Sequence, residues 1–319
     1  MTTQWSPLYT PLYLCYNPFM NLSETKKGDL AILGGALLWS LFPILTILSY
    51  PRLSPLLALA WNTLFAGIFF GFIMLMRGKL RELAKPGILK YSLIIAFTIG
   101  WLYYGLYFSA LKFTSAGNAS IIALMELFFS YLLFNVWKKE RFSGLHTIGA
   151  ILMVFGAAII LFPKQGLSFH AGDFMVLLAT ACAPIGNYYQ QKLRKIISSE
   201  TLLFLRNLLT SPFFFLMSWF LGDGLKLPIT GNLIWIVAIN GMVVLGLSRV
   251  MWMEGIHRIS VTKANALGSI APLFTLFFAY LILHQNPTIW QLASFVPLSA
   301  GLILLTYTKK IRQTEQILV

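Results

Sequence analysis

Ten apolar runs constrain this chain more than any other feature of its sequence. They fall at residues 29–48, 55–76, 88–110, 115–137, 143–162, 172–191, 199–221, 232–256, 261–283 and 288–307. A helix needs about 20 mostly apolar residues to cross a hydrocarbon core of about 30 Å. Each run is one long block rather than a ten-residue alternation, which makes it a helix and not a barrel strand. The links between runs are short, so no soluble domain is inserted. Composition points the same way, with 58% apolar or aromatic residues and 11% charged, against a charged share of about 25% in soluble domains. The expected fold is all-α and integral to a membrane, with ten transmembrane helices.

Outside the spans lie two tails. Residues 308–319 form a short one, and residues 1–28 form a longer one with Pro7, Pro11 and Pro18 among scattered aromatics and no helical period. The longer tail reads either as an interfacial segment or as an extension upstream of a true start at Met20. It has no basic start followed by an apolar run, the mark of a cleavable signal. Cys15 and Cys182 are too few for a disulfide framework or a four-ligand zinc site.

The net charge of +14 would point to nucleic acid in a soluble protein. Here the basic residues sort by side. Eighteen of the 24 lie on the N-terminal side of span 1, in the even-numbered links and after span 10, whereas only Arg52, Lys112, Lys164 and Lys226 lie in the odd-numbered links. The positive-inside rule then puts both termini in the cytoplasm, with the chain multi-pass in the cytoplasmic (inner) membrane. An even number of spans requires the same thing. The charge is an orientation signal, and the partner it implies is the lipid bilayer, not nucleic acid.

The chain also matches itself at an offset of about 145 residues. Asn62 falls on Asn207, Ala119 on Ala264, Gly156 on Gly301, and Ala110–Ser115 on Gly255–Ser260. Five spans per repeat is an odd number, so the second copy is inverted relative to the first. The links agree: residues 138–141 are basic, while the matching 283–286 hold no Lys or Arg. The expected domains are a first repeat over 29–162 and a second over 172–307. Inverted repeats are the architecture of many secondary transporters, whose substrate site lies near the midplane between the halves.

Two inverted five-helix repeats, the stretch Ala110-Leu111-Lys112-Phe113-Thr114-Ser115-Ala116-Gly117-Asn118-Ala119-Ser120 running into span 4, and Lys139-Glu140-Arg141 followed by Gly149 and Gly156 resemble the EamA family of the drug/metabolite transporter superfamily. The resemblance covers about residues 28–307. It implies a carrier for amino acids, other metabolites, or larger purine- and cofactor-like solutes. Such families commonly have a Glu-Pro pair after span 4 or its partner. Here the pair is split between Glu126-Leu127 and Ala271-Pro272, which argues against a symmetric kink.

Among the formally charged residues within spans, four stand out as site candidates: Glu126, Arg206, Arg249 and Glu254. An ionisable group at membrane depth is costly unless paired or hydrated, which makes each a site candidate. Glu126 is nearest the midplane and reads as a proton-coupling carboxylate, an anchor for a substrate cation, or a protonated structural group. Arg249 reads as a clamp on a substrate carboxylate, a partner of Glu126, a structural pair with Glu254, or a snorkelled head. Arg206 and Glu254 lie close enough to span ends to snorkel to the cytoplasmic interface. Asn118, Ile122, Glu126 and Ser130 share one face of span 4 through i+4 spacing. In span 6, Pro184 is expected to kink the helix, with Thr180, Asn187 and Gln191 on one face; Pro272 is the equivalent candidate in span 9. Trp101, Tyr103, Tyr104 and Tyr107 in span 3, and Trp252 in span 8, are expected either to hold an organic cation or flat ring or to pack helices.

No phosphate-binding loop ending in Gly-Lys-Ser/Thr occurs, the four histidines show no metal spacing, and no aspartate lies deep in a span as an intramembrane protease requires. No cofactor and no enzymatic activity are expected. The reading is a carrier that exports amino acids or related zwitterions by alternating access, with protons as a possible coupling ion. The alternatives are an importer or exchanger of a larger aromatic or cofactor-like solute, and, from another class, a channel or intramembrane enzyme.

Overall fold

The computed structural model describes residues 23–138, 144–162, 171–224 and 231–306. Most of the N-terminal tail, the C-terminal tail and three links fall outside the described residues, and with them Lys139, Arg141, Lys164 and Lys226. Ten helical bodies follow one another: α1 Glu24–Ser49, α2 Pro55–Met76, α3 Ile88–Ala110, α4 as Ala116–Ile122 and Met125–Lys138, α5 Gly144–Leu161, α6 Ala171–Leu193, α7 Ser199–Phe220, α8 Leu233–Arg258, α9 as Val261–Gly268 and Ala271–Leu283, and α10 Ile289–Thr306. Among the described residues, nine of these are long and apolar enough to cross a membrane. The exception is α6. Its 23 residues reach about 34 Å at 1.5 Å each, but Asp173, Asn187, Gln190, Gln191 and Lys192 make it the most polar of the ten. A helix this polar crosses only where its polar face is covered by protein or lines water.

Large apolar side chains such as Ile68, Phe72, Leu216, Trp235 and Val296 are exposed on the outer surface, as they are when the surrounding solvent is lipid. Polar side chains turn inward. Asn62 and Asn207 are both fully buried, and each side-chain amide donates to the carbonyl one turn earlier in its own helix, at 2.7 and 2.8 Å.

The helices are arranged as two inverted five-helix repeats. α2 packs on α7, α4 on α9 and α5 on α10, while α1 packs on α8 and α6 on α3. Exchange of the two repeats carries each of the first three pairs onto itself and each of the last two onto the other. Local defects repeat as well. α3 and α8 contain π-helical stretches at Ala96–Tyr103 and Ile239–Leu247, and α4 and α9 break at residues 123–124 and 269–270. The split Glu-Pro pair therefore does not prevent a symmetric break. In α9, Pro272 sits in the first turn of the second segment, where its missing N–H has no helical partner to lose. In α4 the break forms without proline. α6 continues as one helix through Pro184.

Glycine makes the α5–α10 contact possible. A Cβ on Gly149 would stand 2.9 Å from the carbonyl oxygen of Gly301, and one on Gly301 would stand 2.5 Å from that of Gly149. Only backbone against backbone fits there.

Candidate functional site

The π-helical stretches position the centre of the molecule. Each adds a residue to its turn and so re-aims the side chains that follow, a device frequent at functional sites. Tyr103 ends the stretch in α3 and Tyr104 follows it, and Ser248 and Arg249 follow the one in α8. These are equivalent positions of the two repeats, so Tyr104 and Arg249 meet near the axis that relates them. The break in α4 places Glu126 in the first turn of the helix Met125–Lys138, where the partial positive charge of a helix N-terminus favours a carboxylate.

These groups line a cavity of about 780 Å³ whose walls include Tyr103, Tyr104, Glu126, Ser130, Asn187, Arg206, Arg249, Trp252 and Asn265. Two smaller spaces adjoin it, both also bordered by Glu126 and Trp252: one of about 290 Å³, and one of about 200 Å³ that includes Tyr107, Ser120 and Pro272. The large cavity extends past Gln190, Gln191 and Arg194 at the end of α6 and His146 at the start of α5. That end lies on the face carrying Arg77–Lys90 and Lys192–Lys195, the basic face of the molecule.

Within the cavity, the Asn187 side chain donates to Glu126 Oε1 at 2.7 Å, and Gln190 donates to Asn187 Oδ1 at 3.0 Å. The guanidinium of Arg249 lies over the ring of Trp39 at 4.4 Å, and that of Arg206 over the ring of Tyr104 at 5.5 Å. Arg249 is in electrostatic reach of Glu126, yet the two form no ion pair within 4 Å. Both Arg206 Nε and Arg249 Nε are buried without a hydrogen-bond partner.

The opposite end is shut by hydrogen bonds. Gln291, at the start of α10, donates to Asn118 Oδ1 at 2.8 Å and to Ser115 Oγ at 3.2 Å. Asn118 in turn donates to Asp173 Oδ2 at 3.0 Å, and Thr114 donates to Asp173 Oδ1. The amide of Ala116 donates to Gln285 at 3.2 Å, and the Tyr50 hydroxyl donates to the carbonyl of Phe108.

Of the residues singled out by sequence, Glu126, Arg249, Tyr104, Asn187 and Trp252 come together in the large cavity, with Tyr107 and Pro272 on the adjoining space. Asn118 does not join them. The i+4 stripe assumed a continuous helix, and the break at residues 123–124 separates Asn118 from Glu126. Thr180 bonds to the carbonyl of Leu177, and Trp101 stacks on Phe213 at 4.1 Å; both serve packing. Glu254 pairs with Arg258 at the basic face, not with Arg249. Arg206 departs most from the sequence reading. It was placed as a snorkelling residue, but its side chain is only 4% exposed and turns into the cavity. Trp39 was missed altogether, because one Trp in an apolar span carries no distinguishing signal.

The model of the EamA-like transporter family matches residues 26–162 and 170–307, one match for each repeat. Among curated relatives, the uncharacterized transporter YoaV of Bacillus subtilis (strain 168) is 21% identical over 286 residues, 88% of this chain and 97% of that protein. The uncharacterized transporter sll1164 of Synechocystis sp. is 25% identical over 210 residues, 63% of this chain and 60% of that protein. A solved crystal structure at 22% identity superposes with a TM-score of 0.62 over 88% of this chain and 96% of its own, which supports the fold.

Proposed function

Since the chain belongs to the EamA-like transporter family, we propose that it is a secondary-active carrier that moves amino acids or related zwitterions outward across the cytoplasmic membrane by alternating access. The observation that carries this reading is the central cavity: Glu126 and Arg249 both line it, carry opposite charges, and leave each other unpaired. A zwitterion offers an ammonium to the first and a carboxylate to the second. With the basic face in the cytoplasm, the open end is the loading end of an exporter. The bridge made by Gln291 keeps the outer end shut. Glu126 is the proton-coupling group in this scheme, because a proton and the substrate ammonium compete for its carboxylate.

Counterflow in proteoliposomes tests the proposal. A carrier gives saturable counterflow of an amino-acid panel, and a pore gives neither saturation nor counterflow. Glu126→Gln is expected to abolish pH-driven flux and, because the ammonium loses its anionic partner, to leave only exchange of lowered apparent affinity; unchanged pH-driven flux would remove Glu126 from the coupling step. The larger aromatic solute is the second reading, supported by Trp39, Tyr103 and Trp252 around the cavities, and aromatic amino acids in the panel separate the two.

A further inference from the structure

The polar groups of the cavity do not balance. Glu126 has Asn187 as a partner, whereas the two arginines have no carboxylate within ion-pair distance among the described residues. Burying a guanidinium away from water costs several kcal/mol unless it is paired. Stacking on Trp39 and Tyr104 and an interaction of both guanidinium groups with the Tyr104 hydroxyl offset part of that cost. Both Nε atoms remain orphaned, which is rare for buried polar groups and calls for an explanation. The Tyr104 phenol is in electrostatic reach of both guanidinium groups, and these are in reach of each other. Two like charges thus converge on one region of the cavity, and with Arg194 also on the wall the lining stays net positive when Glu126 is ionised.

We propose that Arg206 and Arg249 together form an oxyanion site, so that the carrier's substrate presents a carboxylate or phosphate head to both guanidinium groups and is net anionic. A guanidinium presents its N–H donors in a planar fork that fits such a head from one edge. Two forks approaching from α7 and α8 hold it from two sides, and Tyr104 lies between them. A neutral zwitterion leaves the excess charge in place, while an anionic substrate reduces it. The aromatic rings of Trp252 and Tyr103 line the same cavity and provide a surface for an apolar or aromatic body. This inference rests on the carrier reading, adds a second arginine to it, and narrows its substrates from neutral zwitterions to net anions.

The test varies only the head group. Thermal stability of the purified full chain is measured with phenylacetate, phenyl phosphate, phenylacetamide and phenethylamine. Phenylacetate or phenyl phosphate is expected to raise the midpoint, and which of the two does so more strongly tells carboxylate from phosphate. The neutral amide and the amine are expected to have no comparable effect. Arg206→Gln and Arg249→Gln should each weaken the anion's apparent affinity by about tenfold or more, as for loss of a charge-assisted hydrogen bond, and Arg206→Lys should restore part of it. Anions no better than phenylacetamide in the wild type would overturn the site without recourse to any variant, as would an unchanged anion effect in a folded Arg206→Gln protein. Counterflow of labelled phenylacetate separates the two readings. Binding without counterflow would remove the carrier and keep the oxyanion site, whereas amino-acid counterflow indifferent to Arg206 would keep the carrier and remove the site.

Discussion

The two ends of the molecule are built from equivalent sequence and differ in state. On the basic face, Asp29 of α1 accepts from Lys263 of α9 at 2.7 Å; on the other, Asp173 of α6 accepts from Asn118 of α4 at 3.0 Å. These are the same contact in the two repeats, since Asp29 matches Asp173 and Lys263 matches Asn118 within one residue of the common offset. What distinguishes the ends is the next position. Gln291 bridges α10 to α4 at the shut end. Its equivalent at the open end is His146, which lines the cavity with its ring against Tyr131 at 5.6 Å. At the shut end the side chain at this position reaches from α10 of one repeat to α4 of the other, and at the open end its ring meets Tyr131 of its own repeat. The lesson is that the inverted repeat supplies two similar ends, and a few polar side chains decide which of them is shut.

The largest expected effect comes from the shut end. Asp173 is 1% exposed, and Asp173→Ala leaves Thr114 and Asn118 without their acceptor, which should lower stability by about 3 kcal/mol in thermal unfolding of the purified protein. A loss comparable to that of a surface residue would break the comparison. Next in size is Gln291→Ala. Removing two hydrogen bonds at about 1 kcal/mol each shifts the balance of the two ends by about tenfold or more. A cysteine at Ser120, beside the adjoining space, placed in a background without Cys15 and Cys182, should then label faster from the side opposite the basic links; His146→Ala should leave that rate unchanged.

A smaller effect belongs to Glu82, in the short 3₁₀ turn Leu80–Ala84 of the basic face. Partial burial acts to raise its carboxyl, but the Ser198 backbone N–H and hydroxyl and the Thr201 hydroxyl outweigh it and hold the group below the usual carboxylate range. Ser198 N and Oγ donate to Glu82 Oε2 at 2.8 and 2.7 Å, and Thr201 donates at 2.7 Å, strapping the link between α2 and α3 to the start of α7. A carboxyl lowered by folding stabilises above its unfolded value of about 4.3, and that contribution is lost as pH falls through the folded value. Glu82→Gln should therefore cost about 1 kcal/mol at neutral pH and flatten the acid limb of the stability curve; an unchanged acid limb would exclude the strap. The smallest effect is expected for Asp29→Asn. Its partner Lys263 has a side chain 43% exposed, and pairs of this kind contribute about 0–1 kcal/mol. A cost equal to that of Asp173→Ala would show that the two latches are equally buried in the working protein.

The spans were legible because the membrane imposes a length and a composition on each of them. Runs such as 55–76 and 88–110 coincide with α2 and α3 because Pro55 and Gly87 mark their starts and the apolar pattern fixes the rest. α6 is the most polar of the ten, and the structure explains it: Asn187, Gln190 and Gln191 line the cavity. The residues of the site were partly legible through the cost of charge at depth, which pointed to Glu126 and Arg249. That same argument failed for Arg206. Distance along a helix from the membrane surface says how far a side chain can reach, and not which way the fold turns it. Asn118 failed for a related reason, since no proline or glycine marks the break in α4 at residues 123–124.

The sequence by itself determined that this is a membrane protein of two inverted repeats, because hydrocarbon admits only long apolar helices and an odd number of spans must invert its copy. The tertiary structure alone decided which polar groups share one cavity and which end of it is closed. Those outcomes depend on π-helical turns, on a helix break, and on hydrogen bonds such as that of Gln291 to Asn118, across 173 positions of the chain. Contacts of that range are set by packing, and no local pattern of residues encodes them.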